Sequence, residues 1–340
     1  MSFRRYKYLV IGQGLAGTLV SHQLIKRGAN VYVIDGQQKS ASSVAAGMWN
    51  PLSFRRVIST WKAQTMVKHL HETYPEIERI LGEKIMHQRT VRRFFPNENY
   101  RDLWIKNTQN EEISRFIGNT TDTYGEVTEA GYVDLNKMIE GWRSHLLASD
   151  VFSFGKMNEV IKDKDGFCFR DVKAERLIVC TGVGMTEHLD EQDWLRTNKG
   201  ELLNIDIDVQ DSHVLNNGKW LLPLAEGGHK LGASYDWRSK DYEPTIDVKE
   251  HLLIKLQSMV DKEYEVREHL VGLRPISKDR RPLVGLISTT ERAFVFNGLG
   301  TRGVLIGPYC AWVLANYLED GKDIPKDIDA ARTNISLNLF

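Results

Sequence analysis

Cysteine is scarce: Cys168, Cys180 and Cys310 are the only three in 340 residues, and no two fall at C-x-x-C spacing. An odd, scattered set argues against a disulfide framework or a zinc site and fits a reducing compartment. Long apolar runs are also missing, and no segment reaches the length that spans a bilayer. Arg4, Arg5 and Lys7 ahead of Tyr8-Leu9-Val10-Ile11 imitate a signal peptide, but the run is short and breaks at Gly12, Gly14 and Gly17. A strand entering a glycine turn explains it better, and the expected location is cytoplasmic. Neither sign of charge is in excess: 45 Lys plus Arg balance 45 Asp plus Glu, a formal net charge of +0. This argues against a generic nucleic-acid binder, although net charge says nothing about a local patch. The ten histidines form no His-Glu-x-x-His pattern, and His69 and His71 would point to different faces of a helix. No metal site is expected. Repeats and low-complexity tracts are absent too.

What is present is an ordinary globular composition, 41% hydrophobic and 26% charged, on a chain long enough for two domains. Residues 6 to 11 read as a buried parallel strand. Residues 15 to 27 carry apolar positions at helical spacing, with Lys26 and Arg27 in the last turn and Gly28 as the stop. Val31 to Ile34 form the next strand. Helical texture follows at 62 to 81 and 247 to 262. Strand texture appears at 173 to 181, in alternating runs over 200 to 236, and at 293 to 297. From Leu270 onward comes a short run, and the Arg89 to Arg93 cluster reads as a solvated face.

The motif Gly12-Gln13-Gly14-Leu15-Ala16-Gly17 lies between strand and helix. Its first glycine permits the tight turn, its second lets a pyrophosphate approach the backbone, and its third lets helix pack on sheet. Helix N–H groups and dipole then favour phosphate. Asp35, followed by Gly36, ends the second strand 18 residues past Gly17, where a carboxylate accepts bonds from ribose hydroxyls. Strand, loop, helix, strand and acid in this order predict a dinucleotide site. They do not choose between FAD and NAD, and an Asp at 35 is slightly the more NAD-like.

Further blocks follow in order. They are Ser42-Ser43-Val44-Ala45-Ala46-Gly47-Met48-Trp49-Asn50-Pro51, then Cys180-Thr181-Gly182, Leu231-Gly232-Ala233-Ser234, Val271-Gly272-Leu273-Arg274-Pro275 and Asn297-Gly298-Leu299-Gly300-Thr301-Arg302-Gly303-Val304. Taken together they resemble the D-amino acid oxidase superfamily of FAD proteins, which includes glycine oxidase and sarcosine oxidase. The Gly-Leu-Gly-Thr-Arg-Gly segment looks especially like the FAD domain of the bifunctional enzyme that modifies the wobble uridine of tRNA. Residues 56 to 130 match nothing usable.

The resemblance implies a mixed α/β (α+β overall) fold. A Rossmann-like FAD-binding domain would comprise residues 1–85, 130–198 and 267–340. A discontinuous substrate domain, built on an antiparallel sheet, would comprise 86–129 and 199–266. It implies non-covalent FAD held by Gly12, Gly14, Leu15, Ala16, Gly17, Asp35 and Gly36, by Ser42, Ser43, Ala46, Gly47 and Met48, by Thr181 and Gly182, and by Gly298, Gly300, Thr301, Arg302, Gly303 and Val304. A helix is expected to begin between Gly303 and Pro308, with the proline in its first turn. Its N-terminus would face the flavin edge that becomes negative on reduction.

The same resemblance makes Arg274 the carboxylate anchor, with Arg302 and Tyr235 as further catalytic candidates. A structural Arg274–Asp279 pair is the competing reading, and Met48, Trp49 and Tyr235 serve equally well as core or as pocket wall. The implied chemistry is hydride transfer from the Cα of a small amino or imino acid to flavin N5. The imine then hydrolyses, and oxygen or another acceptor takes the electrons. Two alternatives stay open: removal of a carboxymethyl group from a tRNA base, and a non-catalytic or NAD-only binding protein.

Overall fold

The structure is a computed structural model and describes residues 3–37, 39–188, 194–287 and 291–333. The strand Arg4–Ile11 is buried without alternation from Tyr8 onward. Continuous burial means that both faces are covered, as in the centre of a parallel sheet. The strand pairs in parallel with Val31–Asp35 on one side and Val172–Val179 on the other. Phe152–Phe154 and Ala293–Asn297 extend the parallel sheet outward. Its margins are antiparallel, formed by Ile161–Asp163 with Gly166–Phe169 and by Leu283–Leu286.

Four helices cover one face of this sheet: Leu15–Lys26, Ala63–Leu81, Leu135–Ala148 and Gly303–Asp320. Val10, Val33, Ile178 and Phe296 of the sheet meet Leu19, Trp142 and Leu314 of the helices in one core. Leu9, Tyr32, Leu177 and Val295 point to the other face and pack with Phe167 and Leu195. Each such side chain contributes about 1.5–3 kcal/mol by leaving water. Asp134 caps the helix Leu135–Ala148 by accepting from the Lys137 N–H at 3.1 Å.

The second large sheet has eight strands, in the order Tyr264–Ser277, Leu195–Ile207, His229–Gly232, Trp220–Pro223, Val214–Asn216, Val91–Phe94, Tyr124–Val127 and Ile117–Thr120. All neighbours are antiparallel except Val214–Asn216 with Val91–Phe94, where two separate excursions of the chain meet in parallel. The helix Ile246–Gln257 covers one face through Leu252 and Leu256. On the other face Leu202 and Leu222 pack with Val44, Ala46 and Trp104, which binds this sheet to the segment following Asp35.

Several sequence expectations meet a different arrangement. The short run after Leu270 is part of a 14-residue strand, Tyr264–Ser277. Pro275 obscures it in the sequence, but the strand lies at a sheet edge, where a residue without an N–H is tolerated. The helix expected over 247 to 262 stops at Gln257. Arg92 and Arg93 are not a solvated face: Arg92 pairs with Glu126 and Asp211, and Arg93, 8% exposed, donates to Asn216 Oδ1 at 2.7 Å. Pro308 lies in the second turn of the helix Gly303–Asp320, not the first. Its missing N–H leaves the Val304 carbonyl without its helical donor. The buried Tyr74 hydroxyl supplies one instead, at 2.8 Å.

His22 gives this core a pH dependence. It is 1% exposed and stands edge-on to Trp142 at 5.5 Å, with neither ring nitrogen hydrogen-bonded. Burial outweighs the attraction of Glu76 and lowers its pKa to about 4. The unfolded chain, with a pKa near 6.5 there, binds more protons between these values, so His22 costs stability as pH falls through that window. Urea unfolding at pH 7 and pH 4.5 is expected to show a larger loss for the native chain than for His22→Phe. Equal losses would contradict the assignment.

Candidate functional site

Gly12 has a φ of +91°, and a Cβ there would stand 2.7 Å from the Cys180 carbonyl oxygen. A Cβ on Gly17 would stand 1.8 Å from the Gly12 oxygen. The two strand ends and the helix therefore approach backbone to backbone, as only glycine allows. The turn is fixed from outside by Asp35, whose Oδ1 accepts the Gln13 N–H at 2.9 Å and whose Oδ2 lies 3.4 Å from Arg143 Nη2. Arg143 also donates to Gln13 Oε1 at 2.8 Å.

A cavity of about 1080 Å³ opens at the carboxyl ends of the parallel strands, where Ile11, Asp35, Cys180 and Asn297 reach its wall. Ligands of open α/β sheets bind in that position. Gly12, Gly14, Leu15 and Ala16 line it, followed by Asp35, Gly36, Ser42, Ala46, Gly47 and Met48. Thr181, Gly182, Gly300, Thr301, Gly303 and Val304 complete that half. Ser42 Oγ accepts the Leu15 N–H at 3.1 Å, joining two of these segments.

Four expected residues lie outside the wall. Gly17 is committed to packing on Gly12. The Ser43 hydroxyl donates to the Ser40 carbonyl at 2.8 Å. Gly298, with a φ of +71°, turns the chain against Leu283 and Ser277. The Arg302 guanidinium donates to the carbonyls of Asn50 and Leu52 at 3.4 and 3.2 Å. Met48 faces the cavity, whereas Trp49 is in the core, edge-on to His71 at 5.6 Å.

The second sheet forms the opposite wall and carries Arg274 and Tyr235. Arg274 Nη1 donates to Asn198 Oδ1 at 2.8 Å and to the Ser234 carbonyl at 3.1 Å. Its Cζ lies 4.9 Å from the centre of the Tyr235 ring, which is 58% exposed. Asp279 is not its partner, since that carboxylate binds Arg332 at 2.8 and 3.1 Å. No carboxylate pairs with Arg274 among the described residues, and burial holds its pKa below the usual value.

Sequence reading misses Gly200, because its purpose exists only once strands pair. A Cβ there would lie 2.0 Å from Arg274 Nη2, so the missing side chain is the space that the guanidinium fills. It misses Tyr242 as well, whose hydroxyl donates to the Lys39 carbonyl at 3.1 Å and ties the two halves across the cavity.

The site's own features suit an elongated anionic dinucleotide. The helices Leu15–Lys26 and Gly303–Asp320 both begin at the cavity, and neither has an acid in its first turn. Both offer free N–H groups and positive dipole ends. Thr181 Oγ1 is buried at the wall without a protein partner. The Cys180 thiol is pushed up by burial and so stays protonated. Among the described residues, no three His, Cys, Asp or Glu side chains gather as a metal site, and no helix is long and apolar enough to cross a membrane.

Residues 7–317 match the sequence profile of DAO, the FAD dependent oxidoreductases. The chain belongs to this family. FAD is its cofactor, which sets aside the NAD-only reading. Among curated proteins it is similar to the tRNA 5-methylaminomethyl-2-thiouridine biosynthesis bifunctional protein of Marinobacter nauticus, with 24% identity over 92% of this chain and 54% of the relative. It thus spans about half the length of that relative. Its fold matches iminodiacetate oxidase from Chelativorans sp. BNC1 with a TM-score of 0.78, 17% identity, and coverage of 95% of this chain and 98% of the other. Glycine oxidase from Geobacillus kaustophilus matches with a TM-score of 0.75, 17% identity, and coverage of 94% and 96%.

For this FAD-dependent oxidoreductase, Gly12 offers a direct check on the cradle. Gly12→Ala introduces a disfavoured φ and a clash with Cys180, and is expected to lower stability by about 1–3 kcal/mol and to reduce the flavin-to-protein ratio. Urea unfolding and absorbance measure the two. Native stability with full flavin content would contradict the account.

Proposed function

We propose that this chain oxidises the C–N bond of a small amino or imino acid. The observation that carries the proposal is Arg274, a half-buried guanidinium on the cavity wall with no carboxylate partner among the described residues. A planar guanidinium grips a carboxylate through two parallel hydrogen bonds. Gly200 gives it room, while Asn198 and the Ser234 carbonyl hold one side of it. The similarity of fold to glycine oxidase and iminodiacetate oxidase supports the same substrate class.

Bound FAD supplies the two-electron acceptor. The protein's part is orientation. Arg274 fixes the substrate carboxylate, so that the Cα–H points toward the half of the cavity formed by Gly300 to Val304. The N-terminus of Gly303–Asp320 brings positive potential to the place where negative charge develops. The substrate loses a hydride from Cα and a proton from nitrogen, and water hydrolyses the imine. Oxygen or another acceptor then takes the electrons. We assign the parallel sheet and its helices to the FAD-binding domain and the eight-stranded sheet to the substrate domain. The free thiols of Cys168, Cys180 and Cys310 suit a cytoplasmic setting.

A second reading rests on the similarity to the tRNA-biosynthesis protein, which extends over 92% of this chain. In it the oxidised C–N bond belongs to a carboxymethylamino group on a tRNA base, with the same carboxylate on Arg274. Salt-sensitive tRNA binding would favour it.

Anaerobic addition of amino and imino acids is expected to bleach the flavin absorbance with at least one compound. Gly200→Ala, by displacing Arg274, is expected to raise the KM for that compound at least about tenfold, the equivalent of one lost charge-assisted hydrogen bond, while flavin content stays unchanged. A panel that never bleaches the flavin, alongside bleaching by tRNA, would replace the first reading with the second.

A further inference from the structure

Gly200 has a counterpart on the neighbouring strand His229–Gly232. A Cβ on Gly232 would stand 2.9 and 3.0 Å from Cζ2 and Cη2 of Trp220, so the edge of the indole takes the space of the missing side chain. The same point lies 3.0 Å from the Leu202 Cβ. Strand register agrees, since Gly232 pairs with Leu202 on one side and with Trp220 on the other. The sheet thus holds two flat groups in glycine seats, a guanidinium over Gly200 and an indole over Gly232. Gly232 is the diagonal neighbour of Gly200, and such positions lie about 7–8 Å apart.

Trp220, Leu202, Gly200, Arg274 and Tyr235 all line the cavity. Met48 lines it as well and packs against the same core cluster as Trp220. Beneath the indole the sheet is already closed, with Leu202 and Leu222 buried, while Trp220 itself is only half-buried. Among the described residues it makes no contact with another ring. A large apolar surface left partly open to water is unfavourable. On a cavity wall a ligand covers it, and a flat ring covers an indole best. Arg274 gives Nη1 to Asn198 and to Ser234, which leaves its Nη2 for a ligand. One wall therefore offers an anion donor and an aromatic surface side by side.

We propose that Trp220 is a specificity-determining residue whose indole is the platform for a flat, apolar ring of a substrate whose carboxylate lies on Arg274. This rests on the amino or imino acid reading and narrows it to acids that carry an aromatic or heteroaromatic ring. The ring hangs on Cα or on the amine nitrogen, since both atoms lie within two bonds of the carboxylate carbon. Trp220 takes no part in breaking the C–N bond. With the carboxylate fixed at one end and the ring at the other, the two contacts set the register of Cα along the cavity.

The test uses the FAD-loaded protein and unreactive acids, read as perturbation of the flavin absorbance at fixed ionic strength. Acetate and propionate are titrated against phenylacetate and 3-phenylpropionate, and cyclohexylacetate supplies equal bulk without a flat ring. At least one aryl acid is expected to bind about tenfold or more tightly than its ringless counterpart, and phenylacetate more tightly than cyclohexylacetate. Trp220→Leu is expected to remove that advantage while the acetate Kd stays unchanged, and Trp220→Phe to keep part of it. Gly232→Ala, which displaces the indole without removing it, is expected to weaken the aryl acids alone. Oxidation then places the ring: phenylalanine, as either enantiomer, is compared with alanine, and N-benzylglycine with sarcosine. If neither ring-bearing compound is oxidised faster than its partner, the inference fails. Acetate and propionate binding as tightly as the aryl acids would overturn it and leave the Arg274 reading standing. An equal loss of both classes in Trp220→Leu would also overturn it and assign the indole to packing or to the cofactor. If no acid of either class binds, the carboxylate clamp fails and the platform with it. Should Trp220→Leu not retain FAD, Trp220→Phe and the comparison in the native protein decide the matter.

Discussion

The contact between Gly12, Gly17 and the Cys180 carbonyl is the constraint on which the rest of the molecule depends. With hypothetical Cβ distances of 2.7 and 1.8 Å, no side chain fits at either glycine. The close approach lets the helix Leu15–Lys26 start at the strand ends and rest against Gly303–Asp320. Both helix N-termini then open on one cavity, and Asp35 locks the turn through the Gln13 N–H. We propose that backbone donors and two dipoles there do the work that a cluster of cationic side chains would otherwise do.

The substrate wall obeys the same rule with different parts. Gly200 on the strand Leu195–Ile207 is empty so that Arg274, on the paired strand Tyr264–Ser277, can lie flat across it. Among the described residues the arginine is held by neutral oxygens alone, which fixes its position without cancelling its charge. A charge positioned but not neutralised is what an anionic ligand requires. The two walls are joined by packing of Val44 and Ala46 under the second sheet and by the Tyr242–Lys39 bond.

The glycine turn, the helix after it and the place of Asp35 are legible in the sequence because their logic is local. Glycines, helix and Asp35 fall within a few dozen residues, and each spacing carries a stereochemical reason. The alternation over 200 to 236 likewise betrayed the antiparallel strands. What stayed hidden depends on contacts distant in sequence. Gly200 has meaning only beside Arg274, and Tyr74 only beside the carbonyl that Pro308 leaves free. The Arg302 side chain could not be placed, since the carbonyls it reaches belong to Asn50 and Leu52. Met48 and Trp49 are adjacent yet part company, one to the cavity and one to the core, because strand neighbours face opposite ways.

The central claim is that the glycine cradle holds FAD without a covalent bond. Heat or acid denaturation of the purified protein, followed by chromatography of the supernatant, tests it most directly. The account predicts about one equivalent of free FAD per chain and a colourless pellet, since backbone and dipole contacts of the kind proposed would vanish on unfolding. A yellow pellet, or a supernatant containing a nicotinamide dinucleotide or no nucleotide at all after reconstitution with FAD, would contradict it.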